Sequence, residues 1–580
     1  MPAPSGVYGF ATVLSPKVEY PVPSHYQSLS IATGPGYSTL RYRLGRSLTV
    51  AGGATTGQPV LERSPIVYPE MYDYRTHCHV MGTTQSGKSK FVEACCREHI
   101  ESGNGFAVLD WHGTLYENLV DYLAYRQPDQ QIILVNPSSG TSVVPWNPFR
   151  FEGGDPSAHA SRLVILLAKL WGMENTNDTP NFRRIAQMLF TWLAVSGEPI
   201  QHAATLLEYG NRSIRNHALG VLNDQPRARQ ELQRLQLISA KEPTISALKE
   251  WEWNVGSTWN RLGKLLDSRA LVRMMGLAGK PTLDIDAAVE NNAILLVNLA
   301  GSGELDSESA ATFAALLLGE FQRAALTHAG EEQPYFLYLD EFQNYFTSDA
   351  ARLLDQTAKA GMRITLIHHH MGQFAGNEPL KAAIEMNAQI KAVFAGLPPD
   401  QAARYAQELF MGELNQEWVI RERTKFVTQH RREAYESWDE HNSFSEGEFS
   451  SSSTEGVTVH HGDRDVPELI ELPDSPDTWG RDEKLGQLVE RLMRLPAGCC
   501  YLKTPDGTEY HEVPFIDTYS QEPADKVEYQ HTANTLAIPS AEADRIIKQQ
   551  AESFLKRSLT DAGRTKTRPA KRPARLHAQE

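Results

Sequence analysis

Short apolar runs separated by longer amphipathic segments set the pattern of the chain from residue 76 to about residue 400. HCHVMG (77–82), GFAVLDWHG (105–113), QQIILVNP (130–137), NAILLVNLAGSG (292–303), PYFLYLDEFQN (334–344), MRITLIHHH (362–370) and QIKAVFAG (389–396) are apolar without strict alternation. Runs of this kind predict strands buried on both faces, and apolar residues at three- and four-residue spacing between them predict helices. An α/β fold with a mainly parallel sheet follows. SKFVEACCREHIESG reads as a helix that stops at Gly103 or Gly105.

From residue 156 to 285 the helical spacing continues almost without strand-like runs, which predicts an all-α domain inserted into the α/β core. The core is thereby split into 76–155 and 286–400. Residues 1–75 alternate β-like pieces such as YSTLRYRL (37–44) and SLTVAG (47–52) with Gly and Pro breaks, so a small β-rich segment is expected there. Residues 401–520 form a C-terminal extension. It holds a low-complexity stretch, NSFSEGEFSSSSTEG (442–456), expected as a mobile loop, and a helix–strand–turn–strand piece over 483–515. Residues 521–580 are polar to basic and expected to be disordered.

Composition narrows the class. No run approaches the roughly 20 apolar residues needed to span a bilayer, and LVILLAKLW (163–171) and ATFAALLLGEF (311–321) read as helical core. The N-terminus lacks a signal-peptide pattern, so a cytoplasmic location is expected, with recruitment to the inner membrane by a partner as an option. Five cysteines without a CxxC pair argue against structural zinc and a disulfide framework. A net charge of -15 argues against a generally basic nucleic-acid binder, though not against a local basic channel.

The octet GTTQSGKS (82–89) satisfies G-x-x-x-x-G-K-[ST] between a strand and a helix. Gly82, Thr83, Thr84, Gln85, Ser86 and Gly87 would wrap backbone N–H groups around phosphate, Lys88 would reach the outer phosphates of ATP, and Ser89 would ligate Mg2+. Such a loop needs an acidic partner, and LYLDEFQ supplies Asp340 at a strand end for the Mg2+ shell with Glu341 beside it to polarise a water. Asp110 and His112 end a neighbouring strand. They either orient the metal's water or cap the following helix. Neither a guanine-reading NKxD segment nor an HRD and DFG pair is present.

With GTTQSGKS, LDWHG, VPWNPF (144–149), ILLVNLAGSG, LDEFQ and GQF (372–374) in this order, the chain resembles the HerA/FtsK superfamily of P-loop ATPases, and within it the TraD/TraG-type coupling proteins of conjugative type IV secretion. The resemblance covers roughly residues 40–400 and the returning segment 485–515. It implies a RecA-like motor that binds ATP and Mg2+ and assembles as a homo-hexamer to move DNA, with single-stranded DNA carried by a relaxase as cargo and secretion-channel proteins as partners.

Three departures stand out. Where the family carries an arginine near the subunit boundary, DQTAKAG (355–361) has Ala358, leaving Lys359, Arg363 or Arg352 to supply charge in trans. Where the family has a γ-phosphate-sensing glutamine, this chain has His369, with Gln373 further on. The N-terminal membrane anchor of typical coupling proteins is absent. Two further readings stand beside the conjugative one: a HerA-like motor that partners a nuclease or effector in end processing or anti-phage defence, and a nucleotide-gated scaffold with little turnover.

Overall fold

The computed structural model describes residues 46–52, 59–65, 76–151, 153–173, 180–239, 242–301, 304–328, 334–346, 350–416, 419–447, 450–513, 516, 518–519 and 523–565. The chain divides into two compact units, one of Met1–Ala402 with Leu492–Glu580, the other of Ala403–Arg491.

An 11-stranded sheet organises the larger unit. Numbered in chain order, seven strands run parallel in the spatial order β10 (Ile390–Phe394), β3 (Cys78–Met81), β9 (Met362–His368), β8 (Tyr335–Asp340), β4 (Phe106–Asp110), β7 (Ile294–Asn298) and β5 (Ile132–Val135). The sheet then continues antiparallel past β10 through β13 (Cys499–Thr504), β14 (Gly507–Glu512), β1 (Arg46–Gly52) and β2 (Pro59–Pro65). The mainly parallel α/β architecture read from the apolar runs is therefore present. β3, β4, β5, β7 and β10 are buried along their whole length, as the lack of polar alternation requires, and β8 and β9 along most of theirs. The β-like piece YSTLRYRL lies outside the described residues.

Helix Lys88–Ser102 leaves β3 through the glycine-rich loop and stops at Gly103, whose left-handed φ of 70° closes the last turn. Between β6 (Ser142–Val143) and β7, eight helices from Pro156–Leu170 to Ile285–Glu290 are found among the described residues. Short polar side chains start several of them: Asp155, Thr244, Ser268 and Asp284 each accept a hydrogen bond from a first-turn N–H. Arg215 is completely buried there. Its guanidinium donates to the carbonyls of Leu206, Glu208 and Tyr209, to Ser239 Oγ and to Gln236 Oε1, so burial of the charge is matched by five hydrogen bonds rather than by a carboxylate.

Two expectations from the sequence need correction. Residues 521–580 are not without structure: helices Pro523–Ala533 and Ser540–Thr565 occupy the span up to Thr565, and 566–580 lie outside the described residues. Lys526 bridges Glu117 and Asp121 at 2.6 and 2.8 Å, Asp544 accepts from Arg269 and Arg273, and Phe554 stacks on His202. Long-range anchors of this kind leave no periodic trace in a polar sequence. The second correction concerns 442–456. In the smaller unit β11 (Val419–Gly447) pairs antiparallel with β12 (Ser450–Thr478) through this stretch, because the β-branched and aromatic residues flanking it zip the two strands in register. Residues 448 and 449 lie outside the described residues.

Among the described residues no helix is long and apolar enough to cross a membrane. All five cysteines are buried and free.

Buried neutral histidines run through the core. Burial holds His77 down to about 4, His159 to about 4, and His99 and His368 to about 3. Their unfolded values lie near 6.5, so between those limits the unfolded chain binds more protons and stability falls as pH falls. Each contributes about 1.4 kcal/mol per pH unit within its window. His99 stacks on Phe336 and pairs with Tyr338 Oη at 2.8 Å. The melting temperature is expected to drop steadily from pH 7 to pH 5, and His99→Phe with Tyr338→Phe to flatten that slope by about one histidine's share. An unchanged slope in thermal scans would refute the assignment.

Candidate functional site: a phosphate-binding loop with an acidic neighbour

The site lies at the C-terminal ends of the parallel strands, where such sheets place their ligands. Backbone contacts on three sides fix the loop that leaves β3. Gly82 N–H donates to His369 O beyond β9 (3.2 Å), Thr83 N–H to Ala395 O beyond β10 (3.1 Å), and Ser86 O accepts from Gly498 N–H ahead of β13 (2.8 Å). Side chains are excluded at two of its glycines. A Cβ on Gly82 would lie 2.5 Å from Phe394 Cβ, and one on Gly87 would lie 2.8 Å from Gly498 Cα. Both also sit at positive φ, 151° and 113°.

Within the loop, Thr83, Thr84, Gln85 and Ser89 are exposed, while Ser86 and Lys88 are buried. Lys88 Nζ donates to Gly82 O (2.7 Å) and Thr83 O (2.8 Å). Ser86 Oγ, within the loop, is buried with no hydrogen-bond partner. These features fit a bound phosphate chain.

Asp340 ends β8, and Glu341 follows in the left-handed region (φ 47°), a conformation unusual for a residue with a Cβ. That turn brings the Glu341 carboxylate to His369, whose Nε2 lies 3.2 Å from Oε1. The other ring nitrogen of His369 lies 3.3 Å from Lys88 Nζ. The same Nδ1 lies 3.2 Å from Gly82 O, so the ring joins the loop lysine, a loop carbonyl and the acid in one group of contacts. Gln343 Nε2 also donates to Glu341.

Electrostatics follow from burial. Asp340 is pushed up to about 8, chiefly by desolvation and then by the neighbouring Asp110 and Glu341 carboxylates, against the pull of Lys88. Lys88 is lowered by its own burial, with Glu341 and Asp340 opposing. A cation placed among these groups would relieve the repulsion, and Ser89 and Asp340 are the residues that would hold Mg2+. Asp110 is raised by desolvation, and its oxygens accept from the backbone N–H groups of Tyr116 (2.7 Å) and His112 (3.1 Å). Of its two alternatives the structure places it at the helix start.

The remaining candidates are less central. Gln373 Oε1 accepts from the backbone N–H groups of His369 and His370 (2.8 and 3.2 Å), so it orients the histidine strand end. Arg363 donates to Ala358 O at 3.1 Å, and Lys359 is exposed. His77 is spoken for on both nitrogens, accepting from Ile364 N–H and reaching Leu354 O, which leaves no lone pair for a metal. His368 is buried against His79. Sequence reasoning missed Gly498. Only its place at the start of a returning strand, 416 residues beyond Gly82, could have drawn notice.

Fold and site together define an α/β protein with a phosphate-binding loop and an acidic strand end beside it. No family model matches the sequence, and no characterised protein does. Among solved structures, the bacterial conjugative coupling protein TrwBΔN70 in its unbound form is similar at 12% identity and a TM-score of 0.47, over 84% of this chain and 97% of that one. TrwB in complex with ADP and Mg2+ matches at 13% identity and 0.47, over 83% and 97%. VirB4 of Thermoanaerobacter pseudethanolicus matches at 10% identity and 0.42, over 84% and 97%. Likeness at this level carries no inference about substrate or partner.

The Gly498 contact has a consequence for binding. A trans peptide sets its C=O and N–H in opposite directions, so Gly498, by holding Ser86 O, turns Gly87 N–H away from itself, as a phosphate cradle requires. Gly498 has φ 81°, which a β-branched residue does not tolerate. Gly498→Val is expected to weaken ATP binding roughly tenfold, or about 1.4 kcal/mol. Gly279→Val, also at a left-handed glycine (φ 74°) but in the helical insertion, should lower stability alone. Equal affinities for both variants by calorimetry would refute a role for Gly498.

Proposed function

We propose that this protein is a Mg2+-dependent ATPase of the conjugation type, working as a ring of copies, a hexamer by its resemblance, that moves DNA. The observation that carries this reading is the convergence of Lys88, His369 and Glu341 at the phosphate-binding loop. A loop that only held nucleotide would have no use for a carboxylate oriented by a side chain that also touches the loop lysine.

Bound Mg2+·ATP supplies the phosphoanhydride to be broken and the cation that shields its charge. Glu341 accepts a proton from water positioned for attack, and its left-handed backbone aims the carboxylate at the loop rather than along the strand. Lys88 exchanges its loop carbonyls for outer phosphate oxygens. His369 takes the place of the expected glutamine, holding Glu341 in line and registering through Lys88 whether the outer phosphate is present. Ala358 and the engagement of Arg363 with its own chain support a site whose trans charge comes from Lys359 or from a partner, and whose isolated turnover is slow. An arginine finger contributes about 10^3 to 10^5 in rate in other phosphate-cleaving enzymes.

Single-stranded DNA delivered by a relaxase to secretion-channel proteins is the favoured cargo, with the protein recruited to the inner membrane by a partner. The HerA-like alternative keeps the same chemistry with a nuclease or effector as partner. The scaffold reading draws on Ala358 and His369, and Glu341 opposes it.

Steady-state hydrolysis should be stimulated by DNA, with Glu341→Gln reducing kcat by at least about 10^2. His369→Ala should lower kcat by roughly tenfold or more with ATP affinity nearly unchanged, and His369→Gln should retain more activity than His369→Ala. Full turnover in Glu341→Gln would overturn the role given to Glu341, and no turnover by the wild type with either single- or double-stranded DNA would overturn the ATPase reading in favour of the scaffold.

A further inference from the structure

The ribbon formed by β11 and β12 is an exposed two-stranded sheet with 29 residues in each strand. At about 3.3 Å per residue it extends roughly 95 Å. Among the described residues both outer edges of the ribbon lack a strand partner, since its sheet contains these two strands alone. Two-stranded ribbons are marginal alone in water, and open edges are templates for another chain.

Apolar residues and charge are both distributed unevenly. Cross-strand pairing places Phe426, Leu469, Trp438, Val459 and Val457 on one face, and Phe426, Leu469 and Trp438 are 66, 69 and 66% exposed. Thr424–Arg432 on β11 carries Lys425, Arg431 and Arg432 and no acid, whereas Asp465–Pro473, the stretch of β12 paired with it, carries Asp465, Glu468 and Glu471 and no base, and Asp474 next to it pairs with Arg423. Internal pairing uses part of this charge: Lys425 meets Asp474 at 3.5 Å and Arg432 meets Asp465 at 3.7 Å. Arg431 lies opposite Val466, Glu468 opposite Gln429 and Glu471 opposite Phe426, so these three have no opposite charge directly across within their own ribbon, although Arg431 touches Glu433 on its own strand.

We infer that the ribbon is a self-association surface whose occupant is the ribbon of a second copy of this chain, the basic stretch of β11 in one copy beside the acidic stretch of β12 in the next. Symmetric alternatives fail on charge. A two-fold pairing of β11 with β11, or of β12 with β12, sets like charges against each other over the charged stretch, which destabilises a sheet. Head-to-tail pairing alternates basic and acidic strands and continues from copy to copy, the heterologous arrangement that closes into a ring or extends as a filament. With ribbons pointing the same way, each new contact is antiparallel, like the internal one. Pro467 and Pro473 supply no N–H, so charge rather than a full ladder carries that stretch, and the proline-free run Glu455–Val466 carries the backbone bonds. The inference deepens the ring reading above, but it stands on the ribbon alone and does not depend on hydrolysis.

The test uses the full chain, by sedimentation with Mg2+·ATP present, and follows hydrolysis in the same samples. Two variants drive the charged stretch toward one sign: K425E with R431E and R432E, and E468K with E471K and D474K, the second leaving Asp465 as its one remaining acid. Each alone should raise the concentration for half-assembly roughly tenfold or more, and an equimolar mixture should assemble as the wild type does. A chain carrying all six changes should assemble alone, which shows that the swapped ribbon folds. The inference is overturned if the wild type sediments as a monomer, if the two three-fold variants assemble normally, or if their mixture fails while the six-fold variant succeeds. Normal assembly without turnover would count against the ATPase reading and leave the ribbon intact.

Discussion

Close backbone packing around the loop that follows β3 is the constraint on which the rest of the structure depends. Gly82 and Gly87 sit where a Cβ would collide with Phe394 and with the backbone of Gly498. The loop can therefore hold its shape only if β9 and β10 flank β3 and the chain returns more than four hundred residues later to lay β13 beside β10. Burial of the seven parallel strands on both faces supplies the rigidity, and the loop inherits it. The helical insertion and the C-terminal helices are tolerated because they leave and rejoin this sheet without disturbing the strand order around β3.

Function and stability pull against each other at the same place. Asp340 and Glu341 face one buried lysine with Asp110 beside Asp340, and desolvation pushes Asp340 to about 8. Such an arrangement is costly until a cation and phosphate enter, which makes ligand binding a source of stability. Glu341 adds backbone strain through its left-handed φ of 47°. The His369 ring lies between the acid and the lysine, so any movement of Lys88 toward a phosphate changes what holds Glu341.

Much of this was legible in the sequence, for identifiable reasons. Parallel strands buried on both faces announce themselves as apolar runs, and GTTQSGKS with LDE at a later strand end names the loop and its acids. His369 was found through its place in a resemblance, and its contacts with Lys88 and Glu341 were not readable from spacing. Gly498 was illegible because its contribution is a backbone N–H, which every residue type but proline possesses. The C-terminal helices were missed because Lys526, Asp544 and Phe554 work through partners hundreds of residues away. Ser- and Glu-rich residues around 450 read as a loop locally, while the register that pairs them is set by flanking residues such as Trp438 with Val459.

Calorimetric titration of the intact protein with Mg2+·ATP is the most direct test of the central claim, that one prepared phosphate site lies at the end of β3. The account predicts one site per chain, retained in Glu341→Gln and lost in Lys88→Ala. Binding that survives Lys88→Ala unchanged, or no binding by the wild type, would contradict it.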